Sequence, residues 1–159
     1  CGDLDPFVPL FLQQVEKWSP EQVSKVLNSQ SGLAGISGIP SGDMKEIIDA
    51  ADQGSAKAQL AIDTFCYGVL HYIGAYYLVL QGLDALVFTG GIGERGSLIR
   101  HCVCRQLQFL GVKLDQEANQ RATGEMKIST PDSSIQVLVI PANEELIVAR
   151  EAKVLLERS

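Results

Sequence analysis

The chain has 159 residues, of which 46% are hydrophobic and 20% charged, and its formal net charge is −6. A chain of this length buries about two-thirds of its unfolded surface on folding, so it can form a core, and the composition excludes a mainly disordered protein. Because the excess charge is negative and no Lys or Arg cluster occurs, binding to nucleic acid or to an anionic membrane is disfavoured.

The four cysteines and two histidines do not have the spacing of a structural zinc site, since no CxxC pair occurs. We expect Cys102 and Cys104 to be small buried side chains and His71 and His101 to be packed. Acidic residues interrupt the opening segment, so we expect no signal peptide, reduced thiols and a cytoplasmic protein.

The first third of the chain predicts short helices separated by glycine. Apolar spacing over residues 5–16 indicates a helix with one buried face, and Ser19-Pro20-Glu21 begins a second helix that runs to about Asn28. Four glycines within residues 31–43 predict a compact loop there instead of a regular helix. A helix over residues 43–52 follows.

An uncharged run over residues 64–83 is long enough to cross a bilayer. It contains His71, Gln81 and several tyrosines, and it lacks flanking basic residues. We therefore predict a helix over residues 55–81 that is buried within a soluble domain, with a membrane span as the less favoured alternative.

The second half alternates short apolar strands with helices. Strands are predicted over residues 84–89, 127–129 and 135–140, with extended structure at 112–114, and helices over residues 97–110, 115–123 and 143–157. This alternation predicts an α/β domain with a largely parallel sheet.

A glycine-rich turn follows the first of these strands. Gly90, Gly91 and Gly93 would let the backbone approach a ligand closely, and the amide groups at the start of the next helix would favour a phosphate. The alternative is a tight turn that binds nothing.

The same turn has the spacing of a dinucleotide-binding motif, Gly91-x-Gly93-x-x-Gly96, with Asp115 placed as the ribose-binding acid. A Rossmann-type, NAD-binding dehydrogenase domain is therefore a competing interpretation. Against it, the motif normally opens its domain, and too little chain follows Asp115 for the remaining strands. The sequence GxxxxGK[ST] is absent, which excludes a P-loop.

The segment Phe88-Thr-Gly-Gly-Ile-Gly-Glu94 resembles the adenosine-phosphate loop of the acetate kinase family. Other segments resemble the same family in the same order, so that the resemblance extends over essentially the whole chain. These segments are residues 1–6, 31–38 with 43–45, 128–133 and 139–150.

The resemblance implies the C-terminal part of an α/β protein of the ASKHA class, the actin and Hsp70-like architecture. It implies transfer of a phosphoryl group between ATP and acetate or a similar short-chain carboxylate, with Mg²⁺. The residues that the resemblance assigns to the nucleotide are Asp43, Met44, Lys45, Gly90, Gly91, Ile92, Gly93, Glu94 and Arg95. The family usually has an aromatic residue and an arginine in place of Met44 and Lys45, and an asparagine in place of Arg95.

The resemblance assigns Glu144 to magnesium. The residues alone leave a second interpretation open, because Asn143 is a suitable helix N-cap and the helix dipole favours an acid in the first turn. A single carboxylate is compatible with Mg²⁺, since this ion keeps most of its waters and binds substrate phosphates.

No convergent set of catalytic residues occurs in the chain. The resemblance places the catalytic and acceptor-binding residues in a preceding N-terminal domain, and it implies a homodimer. We therefore expect residues 1–159 to be the nucleotide-binding domain of a longer kinase, inactive alone; a non-catalytic nucleotide-binding module is a further alternative.

Overall fold

The computed structural model describes residues 2–157, apart from the side chain of Glu144. The chain forms two compact units, Cys1–Ile73 and Gly74–Ser159. Within the described residues, no helix combines the length and the apolar character that crossing a bilayer requires.

The first unit is helical, and its helices begin where the sequence supplies caps. Ser19 and Gln22 form a capping box, in which the Gln22 N–H donates to Ser19 Oγ and the Ser19 N–H donates to Gln22 Oε1. The elements are α1 (Phe7–Gln14), α2 (Pro20–Lys25), a π-helical segment (Val26–Gln30), α3 (Gly32–Ser37), α4 (Met44–Asp52) and α5 (Ala56–Leu80), which continues into the second unit.

Helix α3 corrects the prediction of a loop over residues 31–43. The Ser37 hydroxyl donates to the Leu33 carbonyl, and Gly38 ends the helix in the left-handed conformation. Gly35 is needed for packing, since a Cβ there would lie 3.0 Å from the Gln30 carbonyl oxygen. The glycines thus permit a short helix to pack closely against the preceding segment.

Two predictions of burial are wrong within this structure. No residue of α1 is buried, and Phe7 is 73% exposed. In α5 the buried residues lie in the first half, whereas the second half exposes large apolar side chains. The buried residues of α5 are Ala58, Ala61, Ile62 and Cys66, and the exposed large ones of its second half are Tyr72, Tyr76, Leu78, Val79 and Leu80.

The second unit contains a small mixed sheet. Its elements are β1 (Ala85–Phe88), α6 (Gly90–Arg95), α7 (Ser97–Gln106), a 3₁₀ turn (Gln108–Leu110), α8 (Gln116–Arg121), β2 (Met126–Lys127), β3 (Gln136–Val139) and α9 (Glu144–Glu157). The strand order is β1-β3-β2, with β1 parallel and β2 antiparallel to β3. The predicted alternation is confirmed, but the sheet is mixed, because β2 returns to β3 through a tight turn.

The core of this unit contains apolar side chains of α7 and of the sheet. Ile99, Val103 and Leu107 are buried along α7, and Val137 and Val139 are buried in β3. Strand β1 buries Phe88 but exposes Val87, so it is less buried than predicted.

The histidine and cysteine expectations hold only in part. His71 is exposed, with its ring edge-on to that of Tyr72, and His101 is half-buried beside Gln116. Cys102 is half-buried, whereas Cys104 is buried, and burial raises the pKa of its thiol to about 12.

Candidate functional site

The glycine-rich turn lies directly at the carboxyl end of β1. Thr89 is extended, and α6 begins at Gly90, whereas the sequence predicts that the helix starts only after Gly96. The segment is therefore a short helix with a break at Gly96, where a Cβ would lie 2.6 Å from the Ile92 carbonyl oxygen. Thr89 and Gly91 are exposed, so the start of α6 is at the surface.

Glycine is favoured at the positions of this segment for different structural reasons. Gly90 has a φ of +71°, which favours glycine, and a Cβ at Gly91 would point into open space. A Cβ at Gly93 would instead lie 3.3 Å from the Phe88 carbonyl carbon. Gly93 thus serves packing against β1, while Gly90 and Gly91 leave the outer surface open.

The Glu94 side chain connects the glycine-rich turn to the segment before α9. Its Oε1 accepts a hydrogen bond of 2.8 Å from the Ala142 N–H, and the Ile140 N–H donates to the Phe88 carbonyl at 2.9 Å. The two segments therefore lie side by side. Arg95, at the end of α6, is exposed.

The start of α9 lies beside the glycine-rich turn as a consequence. Asn143 Oδ1 accepts from the Leu146 N–H at 3.0 Å, which is the N-cap that the sequence predicts. Glu144 is the first residue of α9, and its side chain lies outside the described residues. The described part of the chain contains no cluster of three or more His, Cys, Asp or Glu able to hold a metal ion.

Sequence reasoning missed Arg100, which is 1% exposed and lies beneath the glycine-rich turn. Its Nη1 donates to the carbonyl oxygens of Gly93 and Glu94, both at 2.8 Å. Its Nε and Nη2 donate to Asn119 Oδ1 at 2.7 Å and to the Asn119 carbonyl at 2.6 Å. The sequence signal for its burial is its spacing: Arg100 lies three residues before Val103 and seven before Leu107, on the apolar face of the helix.

The Arg100 guanidinium is a buried charge, and none of its four hydrogen bonds is to a carboxylate. Burial lowers the pKa of Arg100, but a guanidinium begins from so high a value that it remains positive at neutral pH. The carbonyl oxygens are the electrostatic complement, since the last carbonyls of a helix carry partial negative charge.

The other predicted nucleotide contacts lie in the first unit, at the start of α4. Asp43 Oδ1 accepts from the N–H groups of Lys45 and Glu46, at 2.9 and 3.2 Å, so this carboxylate is the helix N-cap. Met44 is buried in the core of the unit, and Lys45 is exposed. Of the three, Lys45 has the side chain best able to reach a ligand.

Asp115, the ribose-binding acid of the dehydrogenase interpretation, has a structural role. Its Oδ1 accepts from the Ala118 N–H at 3.0 Å and caps α8. Its backbone N–H donates to the Ile128 carbonyl at 2.9 Å. In this structure Asp115 therefore serves as a helix cap.

The segment 128–133 forms a cross-linked turn. Lys113 Nζ and Asp132 Oδ2 form an ion pair of 2.7 Å, and the Thr130 hydroxyl donates to Asp132 Oδ1 at the same distance. These hydrogen bonds and the lysine charge lower the pKa of Asp132 to about 2. Residues 128–133, which resemble a segment of the acetate kinase family, therefore have a structural role in this turn.

Comparisons with curated proteins identify close relatives over nearly the whole chain. The acetate kinase of Dictyoglomus thermophilum is 52% identical over 151 residues, which are 95% of this chain and 38% of that protein. The acetate kinase of Clostridium botulinum is 45% identical over 153 residues, with 96% and 38% covered. The chain thus spans little more than a third of the length of these relatives.

Solved structures have the same fold. The Porphyromonas gingivalis acetate kinase superposes with a TM-score of 0.84 at 39% identity, covering 98% of this chain and 39% of that one. A propionate kinase from Francisella tularensis gives 0.82 at 37% identity, with 94% and 38% covered. These neighbours confirm the α/β, ASKHA-class fold that the resemblance implied. Because the sequence profile of the acetokinase family also matches residues 1–150, the chain belongs to that family.

Proposed function

We propose that this chain is the nucleotide-binding part of an acetate kinase-type phosphotransferase, which transfers a phosphoryl group between ATP and acetate or a similar short-chain carboxylate to give an acyl phosphate and ADP. The observation that carries the proposal is the open backbone surface at Gly91, at the carboxyl end of β1, in a chain of the acetokinase family. The family membership leaves no support for the dehydrogenase alternative.

The proposed contacts follow from this surface. The backbone of residues 90–94 would hold the phosphates, since glycine allows close approach and the first amide groups of a helix have no partner within it. Arg95 lies at the end of the same segment. Asp43, Met44 and Lys45 are proposed to contact the adenosine part, with Lys45 contributing its exposed side chain.

Magnesium is proposed as the accompanying ion, with Glu144 as the protein ligand. The donor chemistry fits, because Mg²⁺ commonly takes one or two carboxylates and completes its shell with water and phosphate oxygens. Glu94 accepts from the Ala142 N–H, which brings the segment before α9 to the glycine-rich turn, and Glu144 is the first residue of α9. When bound, the ion would neutralise phosphate charge.

The acceptor site and the catalytic groups are proposed to lie outside residues 1–159. Phosphoryl transfer requires charged groups that position the acceptor and stabilise the transferred phosphoryl group. The chain covers only 38% of its relatives' length, which leaves room for a further domain that supplies them. We therefore propose that the chain binds nucleotide but forms no acetyl phosphate, and that the longer protein is a cytoplasmic homodimer.

The proposal is tested by titrating ADP with Mg²⁺, and separately NADH, into the purified chain by isothermal titration calorimetry. We expect ADP to bind and NADH not to bind. Tighter binding of NADH than of ADP would contradict the proposal. The same protein, given ATP, Mg²⁺ and acetate, is expected to form no acetyl phosphate.

A matched pair of glycine variants locates the site. Gly91→Val places a side chain on the proposed phosphate surface, whereas Gly74→Val makes the same change in α5, where a Cβ also meets open space. Valine has no lower helix propensity than glycine, so neither change should impair folding. We expect Gly91→Val to weaken ADP binding by about tenfold or more and Gly74→Val to leave it unchanged; equal affinities would remove the turn from the site. Gly93→Val is unsuitable, because the new side chain would clash with Phe88.

A further inference from the structure

We infer that Arg100 is a positioning residue for the nucleotide, which holds the glycine-rich turn in its binding conformation from below without contacting the ligand. The inference rests on the proposed function of that turn. It concerns a residue that neither the glycine motif nor the resemblance identified.

Four hydrogen bonds fix the Arg100 guanidinium between three helices. The Nη1 group is shared by the carbonyl oxygens of Gly93 and Glu94, both at 2.8 Å. These carbonyls lie in the last turn of α6, where no further helical residue can donate to them. The rest of the guanidinium is fixed by Asn119, whose amide nitrogen in turn donates to the Ser97 carbonyl at 2.9 Å. Arg100 therefore ties α6 to both α7 and α8.

The glycine-rich turn has much conformational freedom to restrict, and Arg100 adds to the restraint from the Glu94–Ala142 hydrogen bond. Glycine has more conformational freedom than other residues, and α6 begins with two of them at its exposed end. At the other end the Gly96 N–H donates to the Ile92 carbonyl, and α6 ends there. A rigid, planar side chain that bonds two successive carbonyls restricts this segment more than a single contact would.

The charge of Arg100 also bears on phosphate binding. The guanidinium is buried, positive and without a carboxylate partner among its four hydrogen bonds. In the interior the field of such a charge is weakly screened, so it favours an anion on the nearby surface of α6. Geometry and charge thus act in the same direction, toward a bound phosphate.

The geometric contribution is tested with Arg100→Lys, which keeps the charge but loses the planar fork. Arg105→Lys is the matched control, because Arg105 lies on the same helix and is exposed. Calorimetric affinities are measured for ADP with Mg²⁺ and for adenosine. We expect Arg100→Lys to weaken ADP binding by about tenfold with little change for adenosine, and Arg105→Lys to alter neither.

A folded Arg100→Lys protein with wild-type affinity for ADP would overturn the inference, as would an equal loss for ADP and adenosine. If the variant does not fold, the wild-type protein decides: the NMR signal of the Arg100 Nε–H should shift on saturation with ADP, and an unchanged signal would overturn the inference. Absence of ADP binding by the wild-type protein would instead overturn the proposed function, and this inference with it.

Discussion

At the residue scale, the sequence predicts those side chains whose partners are close in the chain. Ser19 and Asn143 were expected to be helix caps, and both are, because a cap bonds to an amide three residues away. The hydrogen bonds from Arg100 to Asn119 and from Ala142 to Glu94 are not predictable in this way, because they join residues that are 19 and 48 positions apart. Long-range hydrogen bonds of this kind depend on how helices pack, which residue spacing alone does not encode.

Asp132 gives a prediction about pH at the same scale. Its pKa is lowered to about 2 by the hydrogen bonds from Lys113 and Thr130 and by the lysine charge, so ionised Asp132 favours the folded state. This contribution is present above the unfolded pKa of about 3.9 and is lost as the pH falls through the folded value. We expect the difference in free energy of unfolding between the wild type and Asp132→Asn, measured with urea, to be largest above pH ~4 and to shrink toward pH ~2.

The control for this experiment is Glu125→Gln, which changes an exposed acid of the same unit that forms no ion pair among the described residues. A difference for Asp132→Asn that does not vary with pH would show that the ion pair has no role in stability. Added salt should reduce the effect, because the pair is exposed.

At the element scale, apolar periodicity predicts the longer helices and the strands, but it fails where glycine is frequent. Helices α3 and α6 both contain glycines and were predicted as loops. Each is stabilised by specific contacts at its C-terminal end: Ser37 and Gly38 for α3, and Arg100 for α6. Such contacts offset the cost of placing glycine in a helix, which is only about 1 kcal/mol per residue relative to alanine.

Helix α8 supplies a prediction that distinguishes a cap from a ligand contact. Asp115→Ala removes the N-cap and should lower the free energy of unfolding by about 1 kcal/mol, whereas Asp115→Asn, which keeps an acceptor oxygen, should have little effect. Urea denaturation followed by circular dichroism measures both. ADP affinity should not change in either variant, so a selective loss of nucleotide binding in Asp115→Ala would restore Asp115 to the ligand site.

At the scale of the whole molecule, the apolar pattern predicts burial that this chain does not achieve alone. Phe7, Tyr67 and Val79 are each more than two-thirds exposed, although they occupy helices that were expected to pack. Periodicity predicts that an apolar surface will be covered; it does not specify whether the same chain, another domain or another subunit covers it. The chain spans only 38% of the length of a relative, which is consistent with another domain or subunit covering this apolar surface.

The homodimer proposed above predicts self-association through apolar surface. We expect sedimentation velocity to show a species of twice the 17.2 kDa chain mass at high concentration, and Val79→Lys to shift it toward the monomer, because a charge is costly in an apolar interface. Lys57→Arg in the same helix is the matched control. A wild-type chain that stays monomeric would argue against a dimer surface on residues 1–159.

The burial of Cys104 provides a reporter for the motion of α7. The reaction of thiol reagents is with the thiolate, and a thiol with a pKa of about 12 is almost entirely protonated at neutral pH. Cys104 lies one turn after Arg100, so its alkylation at neutral pH requires that part of α7 to open. The rate of that reaction, followed by mass spectrometry with and without ADP, would therefore measure how often the support beneath the glycine-rich turn is released.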